Sequence, residues 1–195
     1  MRRRESVDSN SATVDRGIQA HKTLMRSISY NETTPHPSRT SSQDRDVPDS
    51  DLHILIVEDN LVNQRVLAKQ LRNVGMNVAV ANHGGEALEY LKGTKYCKAD
   101  GFGNELTLIL MDWEMPVMNG LECVANIRKM QGEGVLNGYV PVIAVTANVR
   151  SEQVETALQA GMDNVISKPF RIPELCACIQ KTLRNTAPAE DTKLG

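Results

Sequence analysis

From His53 onward, the chain alternates short apolar runs with amphipathic segments, and no other feature constrains its fold as strongly. The first run, 53–57 (His-Ile-Leu-Ile-Val), is rich in β-branched residues and has no polar residue after His53, which is typical of a strand buried on both faces. Apolar residues at three- and four-residue spacing follow, as on the buried face of a helix. This alternation favours an open, mainly parallel sheet covered by helices on both faces.

The pattern predicts five strand–helix units. Asn60 is a suitable N-cap for the first helix, because its side chain can accept hydrogen bonds from the free N–H groups of the first turn. Leu67, Leu71 and Val74 form the apolar stripe of that helix. Pro173 suits the first turn of the last helix, where its missing N–H needs no partner. The predicted strands are 53–57, 77–81, 106–111, 140–145 and 164–166, and the later helices are 85–91, 120–130, 152–159 and 173–183.

The first fifty residues differ sharply from the rest. They contain fourteen Ser or Thr, three Pro, eight Lys or Arg and seven Asp or Glu, so they have too little apolar surface to offset the entropy of ordering. We expect a disordered tail or linker over 1–50, a folded domain over 51–184 and a flexible tail over 185–195. Apolar residues at helical spacing between 14 and 28 indicate at most a transient helix within the linker.

The composition argues against several classes of function. A formal net charge of −2 gives no overall positive field for nucleic acid or an anionic membrane, and 4% aromatic residues supply few stacking surfaces. The four cysteines show neither a C-x-x-C pair nor the spacing of a zinc site, which argues against a metal–thiolate site or a disulfide framework. No apolar run reaches the roughly 18 residues of a membrane span. We expect a soluble cytoplasmic protein, with a nuclear location left open, that binds neither nucleic acid nor membrane.

Polar side chains stand where the predicted strands end. Glu58 and Asp59 follow the first strand, Asp112 the third, Thr146 the fourth, and Lys168 the fifth. Each has an ordinary explanation alone, as a helix cap or a solvated surface residue. In an open parallel sheet, however, the carboxyl ends of the strands meet at one edge, near the point where strand order reverses. We therefore expect these five side chains to share one crevice.

The chemistry of this set points to phosphoryl transfer. Carboxylates packed closely repel one another unless a cation lies among them, and carboxylate and carbonyl oxygens suit Mg²⁺ better than zinc. Lys168 offers a positive charge, and Thr146 a hydroxyl, for the oxygens of a phosphoryl group. An aspartate beside such groups can accept that phosphoryl group, because positioning and charge neutralisation do most of the work.

Four motifs carry a resemblance to a known family. They are Ile-Val-Glu-Asp-Asn at 56–60, Met-Asp-Trp-Glu-Met-Pro-Val-Met-Asn-Gly at 111–120, Val-Thr-Ala-Asn at 145–148 and Ser-Lys-Pro-Phe at 167–170. In this order and spacing they resemble the response regulator receiver domain, in the style found at the C-terminal end of hybrid histidine kinases. The resemblance covers residues 53–183. It implies a flavodoxin-like α/β fold, with a doubly wound five-stranded parallel sheet of order 2-1-3-4-5 and five helices.

The resemblance also implies a role for each acidic residue. Asp112 is the phosphoacceptor and contributes to the metal site. Glu58 and Asp59 hold Mg²⁺ directly or through water. Glu114 offers its backbone carbonyl to the metal, and its side chain is not involved. Gly120 permits the tight turn after the loop of the site, which is a structural role only.

By the same resemblance, a second group binds the phosphoryl group and changes conformation. Thr146 and Lys168 engage the incoming phosphoryl group, and Ala147 belongs to the loop that then moves. Pro169 is expected to follow a cis peptide bond that orients Lys168. Many receivers have Tyr or Phe three residues before this lysine, whereas this chain has Val165. The absence of a ring there favours a relay role over a large surface change.

The sequence thus predicts a phosphorelay receiver rather than a conventional enzyme. It accepts a phosphoryl group on Asp112 from a phosphohistidine, with Mg²⁺ as cofactor, and relays it or switches partner binding. The expected partner is a histidine kinase domain or a histidine-phosphotransfer protein, and the receiver promotes its own phosphorylation and dephosphorylation. The Ser/Thr/Pro-rich linker favours the terminal piece of a hybrid kinase over a stand-alone regulator. No oligomeric state follows from the sequence.

Two alternatives from other classes stay open. A magnesium-dependent phosphohydrolase of the haloacid dehalogenase type also uses an aspartate nucleophile, with a general acid two residues later, and Glu114 has this spacing from Asp112. The Glu58–Asp59 pair and the Met-Pro after Glu114 fit a receiver better. A non-phosphorylated receiver acting only as an interaction module is the other alternative. The complete acidic set with Thr146 and Lys168 argues against it, because a scaffold has no need of a costly carboxylate cluster.

Overall fold

Five parallel strands form the central sheet. The computed structural model describes residues 47–97, 103–147 and 150–187. In this part of the chain the sheet order is β2-β1-β3-β4-β5, and every neighbouring pair is parallel. The predicted order is confirmed. The strands are β1 (His53–Val57), β2 (Asn77–Ala81), β3 (Leu108–Asp112), β4 (Val142–Thr146) and β5 (Asn164–Ser167).

Five helices cover the two faces of the sheet. They are α1 (Leu61–Asn73), α2 (Gly84–Lys92), α3 (Gly120–Gly132), α4 (Ser151–Gln159) and α5 (Ile172–Thr186). One core cluster contains buried residues of α1 and α5, and the other contains buried residues of α2, α3 and α4. The sheet is therefore doubly wound, as predicted. No helix among the described residues is long and apolar enough to cross a bilayer.

The central strands serve both cores, which explains their unbroken apolar runs. In β1, Leu55 and Val57 belong to one cluster, while Ile54 and Ile56 belong to the other. All four side chains are at most 1% exposed. Successive side chains of a strand point to opposite faces, so a strand covered on both faces needs an apolar residue at every position.

The first helix confirms one sequence prediction and corrects another. Asn60 caps α1, because its side chain accepts from the backbone N–H groups of Val62 (3.0 Å) and Asn63 (3.2 Å). The predicted apolar stripe was wrong at Val74, which is 38% exposed and lies at the C-cap, past the last turn. The buried face of α1 consists of Gln64, Ala68 and Leu71.

Two strands begin later than the sequence indicated. The run from Leu106 predicted a strand at once, but β3 begins at Leu108; likewise β4 begins at Val142 rather than at Val140. Leu106 is 2% exposed and Val140 is fully buried, so both belong to the core without pairing in the sheet. An apolar run indicates burial, and here the buried residues begin two positions before the first residue of each strand.

The folded region extends slightly beyond both predicted boundaries. A short 3₁₀ helix covers Asp49–Asp51, and α5 continues to Thr186. The main chain of Val47 is paired with the side-chain amide of Gln180: Val47 N donates to Oε1 (3.1 Å), and Nε2 donates to Val47 O (2.7 Å). Most of the predicted tail over 1–50, including the helical pattern at 14–28, and residues 188–195 lie outside the described residues.

Candidate functional site

The carboxyl ends of four strands bring the predicted site residues to one edge of the sheet. Glu58 follows β1 directly, Asp112 is the last residue of β3, and Thr146 is the last residue of β4. In the parallel register, Asp112 lies opposite Val145, and Thr146 lies opposite Ser167, the residue before Lys168. The backbone N–H of Lys168 donates to the carbonyl of Thr146 at 2.7 Å, which holds the β5 end of the site against β4.

Lys168 joins two carboxylates. Its Nζ atom is 2.7 Å from Oε2 of Glu58 and 2.7 Å from Oδ2 of Asp112. The side chains of Glu58, Asp112 and Lys168 are 6%, 12% and 26% exposed. Both hydrogen bonds are short, charge-assisted and largely shielded from water, so the Lys168 ammonium balances charge on two carboxylates at once. The peptide bond between Lys168 and Pro169 is cis, as expected.

The two carboxyl groups bonded to Lys168 differ in proton affinity. Burial raises the pKa of Asp112, and the opposing hydrogen bond and charge of Lys168 do not reverse this. Burial by itself would also raise the pKa of Glu58. Hydrogen bonds from Lys168 and Asn63, together with the charge of Lys168, outweigh burial and lower this pKa overall. Burial by itself would lower the pKa of Lys168. The hydrogen bonds and negative charges of Asp112 and Glu58 outweigh burial, so the pKa of Lys168 is raised. The ammonium therefore stays charged in this setting.

Three carboxylates of this edge can hold a cation. Glu58, Asp59 and Asp112, here called the acidic cluster, offer oxygen atoms that all lie within 4.8 Å of one another. Asp59 is exposed, Asp112 is half-buried and Glu58 is buried, so the cluster opens to solvent on one side. Hard oxygen donors with room for water fit Mg²⁺ and do not fit a soft metal. Glu114 is exposed in the loop two residues after Asp112.

The remaining predicted residues lie around this centre. Thr146 is 6% exposed, and Ala147 is exposed directly after it. Val165 is half-buried in β5, where it pairs with Ala144 and packs against the core cluster of α2, α3 and α4. Val165 is thus a small aliphatic residue that packs against the core.

Two residues of the site were missed from the sequence. Gln64 is 5% exposed, and its Nε2 atom contacts the carbonyls of Glu58 (3.0 Å) and Ala81 (3.1 Å) and the Oδ1 atom of Asn82 (3.2 Å). It therefore joins the ends of β1 and β2. Asn63 donates from Nδ2 to Oε1 of Glu58 at 3.2 Å. The available signal was their place in the first turns of the helix that follows the acidic pair.

Gly120 was expected to permit a tight turn, and the structure gives a different reason for glycine. A Cβ atom at Gly120 would lie 2.3 Å from the carbonyl oxygen of Asp112. The residue of this loop with a positive φ is Val117 (69°), which is 84% exposed. Glycine is thus required by the close approach of the α3 N-terminus to the backbone of Asp112.

Comparison with known proteins identifies the family. The model of the response regulator receiver domain matches residues 54–180, well over half of the chain. The chain belongs to the response regulator receiver family. Hybrid signal transduction histidine kinase K of Dictyostelium discoideum is 34% identical over 141 residues, which are 71% of this chain and 11% of that protein. The receiver thus spans a small part of this relative's length.

Solved receiver structures agree with the fold. The receiver domain of a sensor histidine kinase from Pseudomonas aeruginosa is 34% identical, with a TM-score of 0.54, and the match covers 68% of this chain and 97% of that one. Its structure has a magnesium ion coordinated in the active-site cleft. The receiver domain of Saccharomyces cerevisiae Ssk1, co-crystallised with the histidine phosphotransfer protein Ypd1, is 27% identical, with a TM-score of 0.60 and coverages of 72% and 94%. The chain is a receiver domain of two-component phosphorelay signalling.

Proposed function

We propose that Asp112 is the phosphoacceptor of this receiver. One observation carries the proposal: its carboxylate lies in the acidic cluster and is bonded at 2.7 Å to Lys168, in a half-buried position that remains open to solvent on one side. A carboxylate oxygen attacks phosphorus, the bond from phosphorus to the donor imidazole nitrogen breaks, and the imidazole leaves with the bonding electrons. The product is an aspartyl phosphate, and its hydrolysis by water returns Asp112 and inorganic phosphate.

The other residues neutralise and orient the phosphoryl group. Lys168 carries the positive charge that the transferred group needs, and the Thr146 hydroxyl is a hydrogen-bond donor at the same edge. Glu58, Asp59 and Asp112 hold Mg²⁺, with the backbone carbonyl of Glu114. When bound, Mg²⁺ offsets the negative charge of the phosphoryl oxygens.

A relay role follows from the aliphatic residue in β5. Thr146, Ala147 and the segment of Lys168 and Pro169 form the surface that responds to phosphorylation. Val165 supplies no ring that could move inward when Thr146 engages a phosphoryl group. We therefore favour transfer to and from a histidine over a large change of surface. The relay domain corresponds to the predicted domain over residues 51–184, extended by the 3₁₀ helix at its start and by the end of α5, and it acts in the cytoplasm.

The partner is a histidine kinase domain or a histidine-phosphotransfer protein that docks on α1. Leu61, Val62 and Val66 are 52%, 70% and 52% exposed, and they lie in the first turns of the helix that follows Glu58 and Asp59. Exposed apolar side chains beside a reactive group are typical of a docking surface. The co-crystal of a yeast receiver with a phosphotransfer protein supports this class of partner.

The test is the intact mass of the protein after incubation with MgCl₂ and acetyl phosphate, beside Asp112→Asn. We expect one labile phosphoryl adduct in the wild type, and none in Asp112→Asn or in EDTA. An adduct that persists in Asp112→Asn would place the acceptor elsewhere. No adduct in the wild type would favour the interaction module. Steady hydrolysis of a small phosphate ester that is lost in Glu114→Gln would favour the phosphohydrolase.

A further inference from the structure

The carboxylate of Glu58 is held from two sides by groups of different character. Lys168 Nζ contacts Oε2 at 2.7 Å, and Asn63 Nδ2 donates to Oε1 at 3.2 Å. Asn63 is the third residue of α1, and its backbone N–H is already bonded to the side chain of Asn60. Its side-chain amide is a separate donor, which bonds to Glu58.

A bound cation would affect these two donors differently. A divalent cation in the acidic cluster competes with the Lys168 ammonium for the same carboxylate oxygens, because both are positive. The Asn63 amide is neutral, so it can restrain the carboxylate without offsetting its charge. Donors outside the ligand set commonly orient metal ligands in this way.

We propose that Asn63 is a positioning residue for the carboxylate with which Glu58 binds metal. The proposal rests on the proposed function, in which Glu58 is a ligand of Mg²⁺. Glu58 has one more methylene than Asp59, and therefore one more rotatable bond to fix when a metal binds. The hydrogen bond from Asn63 restricts rotation about this carbon–carbon bond before the metal binds. It therefore lowers the entropic cost of ordering the Glu58 side chain as a metal ligand.

The first test compares two asparagines of the same helix. Asn63→Ala removes the bond to Glu58, and Asn73→Ala, at the exposed end of α1, is the matched control. The probe is MgCl₂ alone, and the Mg²⁺ dissociation constant is obtained from the rise in unfolding midpoint with Mg²⁺ concentration. We expect Asn63→Ala to raise this constant roughly three- to tenfold, and Asn73→Ala to leave it unchanged. Each variant is referred to its own midpoint in EDTA, so a change in stability without metal does not enter the Mg²⁺ constant.

The second test separates positioning from a general effect on α1. In Glu58→Asp the carboxylate is drawn back by one carbon–carbon bond, so the 3.2 Å contact with Asn63 exceeds hydrogen-bonding distance. Asn63→Ala should then have no further effect on the Mg²⁺ constant. Equal losses in the wild-type and Glu58→Asp backgrounds, or no difference between Asn63→Ala and Asn73→Ala, would overturn the proposal. If the wild-type midpoint does not respond to Mg²⁺ at all, the metal site of the proposed function fails as well.

Discussion

At the scale of single residues, the four cysteines differ in what surrounds their thiols. Cys123 is fully buried, and its Sγ donates to the carbonyl of Gly84 at 3.4 Å. Burial raises the pKa of Cys123 to about 12. Cys97 and Cys176 are half-buried. Because the thiolate is the reactive form, Cys123 should be the most inert of these thiols.

We expect iodoacetamide at pH 8 to alkylate Cys97 and Cys176 well before Cys123 in the folded protein. Peptide mass mapping over time measures this order, and guanidinium chloride should make all four cysteines react. Alkylation of Cys123 as fast as that of Cys97 in the native protein would contradict the burial seen here.

The same thiol predicts a pH effect on stability. A folded pKa above the unfolded value of 9.0 means that the folded state binds the proton more tightly. The contribution of the protonated Cys123 thiol to the free energy of unfolding is complete below pH 9 and is lost as pH rises towards about 12. Denaturant unfolding between pH 8 and pH 10.5 should therefore show a steeper fall for the wild type than for Cys123→Ala. Parallel curves for the two proteins would rule this contribution out.

At the scale of elements, one arginine connects three parts of the fold at the edge of the sheet opposite the acidic cluster. Arg128 of α3 donates to the carbonyls of Gly161 and Val140, both at 2.8 Å, and to Asp163 at 3.0 Å. Asp163 also accepts from the hydroxyl of Tyr139 and, at 2.7 Å, from the N–H of Val142. Burial raises the pKa of Asp163, against the charge of Arg128. The network ties α3 to the starts of β4 and β5.

Removing this arginine should leave a buried carboxylate without its cation. We expect Arg128→Met to lower the free energy of unfolding by about 3 kcal/mol at pH 7, because an uncompensated buried charge is costly. The neighbouring Lys129→Met, whose side chain is 69% exposed in the wild type, should change it by less than about 0.5 kcal/mol. Protonation of Asp163 relieves the cost, so the deficit of Arg128→Met should shrink as pH falls towards 4. Urea unfolding at both pH values measures it, and a deficit independent of pH would exclude Asp163 as its cause.

The two ends of α3 give opposite predictions for glycine. Gly120→Ala places a Cβ atom 2.3 Å from the backbone oxygen of Asp112. This distance is a steric clash, so the backbone at the start of α3 or at the end of β3 must shift. We expect a loss of at least about 2 kcal/mol in unfolding free energy, together with slower phosphorylation. Gly132→Ala meets nothing within 4 Å and should stabilise the protein by about 0.5 to 1 kcal/mol. Thermal unfolding of both variants checks this pair, and similar midpoints would contradict it.

At the scale of the whole molecule, the alternation of apolar runs was enough to predict the sheet and the layers of helices, and the resemblance carried by the four motifs supplied the strand order. The alternation also predicted the edge at which Glu58, Asp112 and Lys168 meet, because parallel strands deliver their carboxyl ends to one side. The Lys168 contacts with both carboxylates follow from this placement and from charge.

The helix that follows the acidic pair shows what the sequence could not provide. A glutamine in a helix ordinarily faces solvent, yet Gln64 is buried, with its side-chain amide bonded to the carbonyls of Glu58 and Ala81. Val74 shows the reverse, an apolar residue left exposed at a helix end. Both outcomes depend on neighbours in space, which helical periodicity does not contain.

The start of the folded region gives the last prediction. Val47 exchanges two hydrogen bonds with Gln180, and Asn77 donates to the carbonyl of Ser50 at 3.0 Å, so residues 47–51 connect the chain entry to α5 and β2. A protein beginning at residue 47 keeps these bonds, whereas one beginning at Leu52 loses them and exposes a side chain that is fully buried here. We expect the first to unfold like the full chain.

The shorter protein should be less stable by about 2 kcal/mol, from three hydrogen bonds and part of one buried leucine. Gln180→Ala in the full chain should reproduce about half of that loss, since it removes only the pair with Val47. Urea unfolding of the four proteins under identical conditions measures the differences. If the chain starting at Leu52 matched the one starting at residue 47, the folded unit would begin at β1, and the contact with α5 would contribute nothing to its stability.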